Sequence, residues 1–89
     1  MNNFQLIEGQ FTPAEAKEIL LNLFGHKIQF HNLKCFANEE ITGKKDKHSE
    51  TRVKELNAMR DELIDLIDNS QKNNKKMVIN SVIEIQTVD

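Results

Sequence analysis

The sequence predicts an α+β fold in the order β-α-α-β, in which a long helical hairpin packs on an antiparallel two-stranded sheet formed by the two chain ends. Three observations support this prediction. A helix-start signal and a helical apolar period follow Phe11, a second helical period follows Ser49, and alternating apolar residues occur near both ends of the chain. With 89 residues, the chain is expected to form a single small domain, residues 1–89.

The first predicted element is a short strand over residues 4–10. Strict alternation of side chains would divide this strand into two faces. One face would carry Phe4 and Leu6, and the other Gln5, Ile7 and Gly9.

The start of the first helix has the clearest local signal in the sequence. Thr12 is the predicted N-cap, Pro13 occupies the first helical position, and Glu15 is placed to complete a capping box. From Pro13 to about residue 38, an apolar stripe with a helical period is expected to be the face that the rest of the chain covers. Its members are Ala16, Ile19, Leu20, Leu23, Phe30, Leu33 and Ala37.

Gly25 lies in the middle of this helix and could end it in a left-handed conformation. Phe30 and Leu33 nevertheless return to the angular sector of Leu23, which a chain that had turned would have no reason to preserve. We therefore predict one continuous helix. A second apolar strip beside the first indicates that this helix has more than one neighbour. The second strip contains Leu21, Phe24, Ile28 and Cys35.

A polar, glycine-containing segment over residues 41–48 is predicted to reverse the chain, with Ser49 as the N-cap of the second helix. From Val53 onward, apolar residues recur in alternating steps of three and four, which is typical of a helix packed antiparallel against a neighbour. After Val53, the apolar residues of this pattern are Leu56, Met59, Leu63, Leu66 and Ile67. Turn formers and lysines over residues 69–76 predict the end of this helix.

Residues 77–88 are predicted to form the second strand. Its inner face would carry Met77, Ile79, Ser81, Ile83 and Ile85. Short connections make the two terminal strands antiparallel neighbours, and Glu84 is the one carboxylate that guards the outer edge of the second strand up to Thr87. This edge predicts a homodimer in which the sheet extends to four strands; the alternative is a monomer in which the first helix folds over the edge. The expected self-association residues are Val78, Val82, Ile83 and Ile85.

Composition narrows the class of protein only broadly. A net charge of −2 with 29% charged residues describes neither a polyanion mimic nor a basic nucleic-acid binder. Cys35 is the single cysteine, which favours a reduced compartment. The first residues lack the features of a signal peptide and no stretch is apolar enough for a membrane span, so we expect a cytoplasmic protein without membrane partners.

Two residue groups could suggest metal chemistry, and neither makes a strong site. His31, Cys35 and Glu39 follow one another at four-residue intervals, but a helical metal site needs further ligands from another element. Asp61, Asp65 and Asp68 lack the convergent loop of a calcium site and are expected to form a solvated face. We therefore assign no metal ligand and no cofactor.

Catalysis is not expected either. Cys35 as a nucleophile would need an adjacent base and an electropositive pocket, which Lys34 and His31 alone do not establish. The three glycines are scattered, so they cannot form a phosphate-binding loop, and no dinucleotide fingerprint is present. The sequence accordingly predicts a protein that is not an enzyme.

Two basic clusters could contact nucleic acid. The turn cluster contains Lys44, Lys45, Lys47 and Arg52, and the C-terminal cluster contains Lys72, Lys75 and Lys76. The up-and-down topology places them at opposite ends of the hairpin, and carboxylates along the helices oppose their field. Solvated loops are therefore the favoured interpretation, unless a dimer brings the clusters together.

Part of the first half of the chain resembles small uncharacterised bacterial proteins of unknown function. The resemblance lies in the segment from Glu8 to Ala16 and in the segment from Phe30 to Lys34. It implies no activity, catalytic residue or ligand for any position.

Two hypotheses of function remain. The leading one is a noncatalytic protein-protein interaction or assembly module, most simply a homodimer, which could also bind a further protein that no feature identifies. The alternative is a small dimeric nucleic-acid-binding regulatory protein that uses the two lysine clusters.

Overall fold

The computed structural model describes residues 2–89, and their order confirms the predicted β-α-α-β fold. The elements are strand β1 (Asn2–Phe11), helix α1 (Pro13–Thr42), helix α2 (Lys47–Lys72) and strand β2 (Met77–Ile85). The two helices form a hairpin, and the two strands form one antiparallel sheet. Each strand therefore leaves one edge without a partner strand.

A β-bulge in β1 corrects the predicted faces of this strand. Gln5 pairs with Val82 and Ile7 pairs with Ser81, so Leu6 is the extra residue at the register shift. Because one residue is inserted, Phe4 lies on the same face as Ile7, and the expected pairing of Phe4 with Leu6 on one face is wrong. The face that we call the inner face carries Phe4, Ile7, Gly9 and Phe11 from β1 and Met77, Ile79, Ser81, Ile83 and Ile85 from β2.

Helix α1 begins as the sequence predicted. The Glu15 amide donates to Thr12 Oγ1 at 3.2 Å, and the Thr12 amide donates to Glu15 Oε1 at 2.9 Å, which completes the capping box. The helix then continues through Gly25 without a break, which confirms the prediction of one long helix. It ends at Gly43, whose φ of 75° is the left-handed conformation that glycine adopts most readily.

The hairpin seam uses the second apolar strip of α1 rather than the first. Phe24, Ile28 and Cys35 are partly buried, and buried His31 lies in the same strip, whereas Phe30 and Leu33 of the first stripe are 53% and 60% exposed. On α2, Leu56 and Ile67 are buried. Met59 and Leu66, which were predicted to face α1, lie about 90° from this seam and are exposed.

The turn between the helices is shorter than predicted. Asp46, not Ser49, is the N-cap of α2, and its side chain accepts a hydrogen bond from the Ser49 amide. The loop runs back along α1, because Asn38 Nδ2 donates to the Lys44 carbonyl and Cys35 Sγ donates to the Asp46 carbonyl. Helix α2 therefore begins beside Cys35, and the last turns of α1 project beyond it.

The sheet lies beside the first half of α1. Strand β1 ends at Phe11 and α1 begins at Pro13, so the chain reverses there and β1 runs back along the helix. One apolar groove is lined by Leu6, Ile7 and Phe11 of β1 together with residues of the first stripe of α1. These are Ile19 and Leu23, joined by Asn22 and His26. The first stripe is thus covered in its N-terminal half only.

The protomer is long and flat. Its dimensions are 50 × 31 × 15 Å and its radius of gyration is 16.2 Å, against about 12 Å for a compact chain of this length. Since α1 alone measures about 45 Å, the sheet adds width rather than length. A slab this thin has almost no interior, and the buried apolar residues of the described chain are Ile7, Ala16, Leu56 and Ile67.

Candidate functional site

The predicted self-association residues are spread along β2, from Val78 near the end of α2 to Ile85 at the far end of the strand. Val82, Ile83 and Ile85 are 44%, 42% and 48% exposed, and Val78 is 76% exposed. Ile83 and Ile85 share the inner face, whereas Val78 and Val82 share the other face. The structure therefore brings two of the four onto each face of one strand, and all four are accessible in the protomer.

The free edges of the two strands differ in regularity. Strand β1 contains the bulge at Leu6 and a glycine, Gly9, with a φ of 140°, and both features disturb the even spacing that a further strand would need. In strand β2 every residue from Met77 to Ile85 has a partner in β1, without a bulged residue, and Glu84 is its single charged residue. The β2 edge is consequently the better template for an additional strand.

A buried polar cluster occupies the hairpin near its turn. His31 is 6% exposed and Ser49 is fully buried, and His31 Nδ1 lies 3.1 Å from Ser49 Oγ. The Ser49 hydroxyl donates to Asp46 Oδ2 at 3.4 Å, so its oxygen accepts from His31 Nδ1–H. This arrangement leaves His31 Nε2 as a buried nitrogen with no hydrogen-bond partner among the described residues.

The surroundings of this cluster shift two pKa values downward. Burial disfavours the charged imidazolium and lowers the pKa of His31, and the positive charges of Lys27 and Arg52 lower it further. The Ser49 backbone amide, which donates to the Asp46 carboxylate, lowers the pKa of Asp46. The cluster therefore holds a neutral imidazole beside a carboxylate that is stabilised as an anion.

This cluster has a structural role in the hairpin. The hydroxyl of Ser49 is used twice, by His31 and by Asp46, and both Ser49 and His31 are buried. It links α1, the turn and the first turn of α2 in one hydrogen-bonded chain. The sequence does not reveal this cluster, because Ser49 has the pattern of a helix cap and its place opposite His31 depends on the path of the loop.

The two metal-like residue groups do not assemble into metal sites. Among residues 2–89, no group of three or more His, Cys, Asp or Glu side chains is placed to hold a metal ion. His31 bonds to Ser49, Cys35 donates to a backbone carbonyl, and Glu39 is exposed beside a shallow groove. Asp61, Asp65 and Asp68 lie on the exposed side of α2.

The two lysine clusters lie at opposite ends of the hairpin. Lys44 and Lys45 are in the turn and Lys47 and Arg52 are in the first turns of α2, whereas Lys72 ends α2 and Lys75 and Lys76 precede β2. The 26 residues of α2 separate them by about 39 Å. Arg52 also pairs with Glu55, which neutralises part of the turn cluster. One protomer thus presents no continuous basic surface along its described residues.

Comparison of the chain with protein-family models, with curated proteins and with solved structures finds no match. Neither of the two helices, nor any other part of residues 2–89, forms a helix that is both long and apolar enough to cross a membrane.

Proposed function

We propose that this protein is a noncatalytic assembly module that works as a homodimer, built by pairing the β2 edges of two protomers. The observation that carries the proposal is the large surface of the single chain. The protomer exposes 7077 Å², whereas a compact monomer of 10.3 kDa exposes about 5,400 Å². The excess of about 1,700 Å² per chain falls within the range that obligate dimers bury.

The geometry of pairing follows from the free edge of β2. Two β2 strands related by a two-fold axis run antiparallel, and they would join two two-stranded sheets into one four-stranded sheet. Both hairpins would lie on the inner-face side, because an axis normal to the sheet preserves its faces. Ile83 and Ile85 would then be brought towards the partner's helices and become more buried.

Sedimentation velocity at tens of micromolar tests this proposal. We expect a species of about twice 10.3 kDa that dissociates on dilution. A single species near 10.3 kDa at every concentration would rule out the homodimer.

Proline substitution in β2 tests the edge itself. Successive backbone amides of a strand point to opposite edges. Of the two variants Ser81→Pro and Val82→Pro, one therefore removes an amide at the free edge of β2, and the other removes an amide that faces β1. We expect one of these variants to keep native circular dichroism and lose the dimer. Val88→Pro, beyond the end of β2, is the control and should keep it. Two folded proline variants that both dimerise normally would refute edge pairing.

Nucleic-acid binding is the alternative function, and its test is a titration against duplex and single-stranded nucleic acid at low salt. Binding through the lysine clusters would be micromolar and would weaken steeply as salt is raised. The assembly proposal predicts almost no binding at any salt concentration.

We further propose a cytoplasmic location, because the free thiol of Cys35 is stable in a reduced compartment.

A further inference from the structure

Apolar side chains remain exposed both on α1 beyond Leu23 and on the inner face of the sheet beyond Ile7. On the helix they include Phe30 and Leu33, which are 53% and 60% exposed. On the sheet they include inner-face residues Phe4, Ile83 and Ile85, which are 53%, 42% and 48% exposed. We call these five residues the apolar flank.

The apolar flank continues two surfaces that already pack together. Phe30 and Leu33 belong to the same stripe of α1 as Ile19 and Leu23, which line one groove together with residues of β1. Phe4 and the distal isoleucines belong to the same face of the sheet as Ile7, which is buried in that contact. Both surfaces therefore stay apolar beyond the point where the protomer covers them. An exposed apolar surface of this kind is typical of an interface.

We propose that the apolar flank is a second part of the dimer interface, covered by the same flank of the partner, with α1 of one protomer packed beside α1 of the other. This inference rests on the proposed homodimer and names the side chains that it buries. It places on α1 an interface that pairing of the β2 backbones would not by itself require.

Area and symmetry both favour a second copy as the occupant. Edge pairing alone hides mainly backbone and cannot account for about 1,700 Å² of excess surface per chain, whereas side-chain contact over both helices and sheet can. The two-fold axis that joins the β2 edges also places both hairpins on one side of the sheet. Two α1 helices would then run antiparallel with their exposed stripes adjacent, as an isologous interface requires.

Phe30 and Phe36 provide a matched pair of variants. Both are phenylalanines of α1 and are similarly exposed, at 53% and 62%, but they point about 120° apart around the helix. We expect Phe30→Gln to raise the dissociation constant of the dimer by about tenfold or more, because it removes an interfacial aromatic side chain. Phe36→Gln, outside the flank, should leave the constant within a factor of about three. Equal effects of the two substitutions would overturn the inference.

Thiol accessibility provides a second measurement, which reports the burial of position 30 in the dimer rather than the dissociation constant. In a Cys35→Ser background, Phe30→Cys and Phe36→Cys each provide one accessible thiol for a maleimide reagent. We expect the reaction at position 30 to slow several-fold when the protein is concentrated from the monomer range to the dimer range, and the reaction at position 36 to be unchanged. Equal rates at position 30 in both ranges would refute the flank contact.

These outcomes separate the flank from the homodimer itself. A wild-type protein that stays monomeric would overturn both proposals. A dimer that is lost with the effective proline substitution in β2 but is insensitive to Phe30→Gln, with position 30 reactive throughout, would leave edge pairing intact and remove the flank from the interface.

Discussion

Thr12 and Glu15 satisfy each other's backbone amides at the start of α1, and this single pair determines where the helix begins. We expect Thr12→Ala to lower the free energy of unfolding by about 0.5 to 2 kcal/mol, because the Glu15 amide loses its acceptor. The measurement is the midpoint of urea denaturation. Thr51→Ala, at an exposed position inside α2, is the control and should change stability by less than about 0.5 kcal/mol.

His31 makes stability depend on pH near neutrality. The pKa of His31 in the folded protein is lowered from 6.5 by burial and by the neighbouring basic groups Lys27, Arg52, His48 and Lys34, while Asp46 is the acidic group of its cluster. Below about pH 6.5 the unfolded chain binds the proton more readily than the folded chain. The stability that neutral His31 permits is therefore fully present above this pH and is lost as the pH falls below it.

Urea midpoints between pH 8 and pH 5 measure this effect. We expect the wild-type midpoint to fall with pH and the fall to be smaller in His31→Leu, which removes the titrating group and the unpartnered Nε2. Asp46, whose lowered pKa lies below 3.8, loses its contribution only at more acidic pH and stays outside this window. An unchanged slope in the leucine variant would contradict the assignment to His31.

At the scale of elements, the two glycines of the hairpin, Gly25 inside α1 and Gly43 at its C-terminal cap, have opposite roles. Apart from its chain neighbours and the adjacent helix backbone, Gly25 has no heavy atom within 4 Å of where its Cβ would be, whereas Gly43 has a φ of 75°. Gly25→Ala should therefore stabilise the protein by up to about 1 kcal/mol, since alanine favours the helix and restricts the unfolded chain.

Gly43→Ala is the paired substitution and should destabilise the protein by about 1 to 2 kcal/mol, because an L-residue is strained in the left-handed region. Thermal unfolding of both variants at equal protein concentration provides the comparison. If Gly25→Ala were the more damaging change, α1 would not be continuous in solution.

The elements also show where sequence patterns are ambiguous. Helix α1 carries two adjacent apolar strips, and helical periodicity alone gives no reason to prefer one of them as the seam. The strip with Phe24, Ile28 and His31 faces α2 because the turn runs back along α1 and brings Ser49 beside His31. In β1, one bulged residue at Leu6 reverses the faces that strict alternation predicted.

At the scale of the whole molecule, a thin protomer with four buried apolar residues among those described has a small core, so the proposed homodimer would add to its stability. We expect the unfolding temperature to rise with protein concentration, because mass action favours the folded dimer over unfolded chains. Differential scanning calorimetry over a hundredfold concentration range measures this dependence. An unfolding temperature that is independent of concentration would indicate a monomer that is stable by itself.

Four features follow from the sequence alone: the order of the elements, the start of α1, the continuity of α1 through Gly25 and the antiparallel pairing of the chain ends. These features depend on local signals, namely caps, periodicity and short connections. Three other features are visible only in the folded protein: which strip of α1 meets α2, which face of β1 carries Phe4, and the cluster of His31, Ser49 and Asp46. Each of these depends on the path of a loop or on one inserted residue, which shifts contacts between distant segments without changing the local pattern.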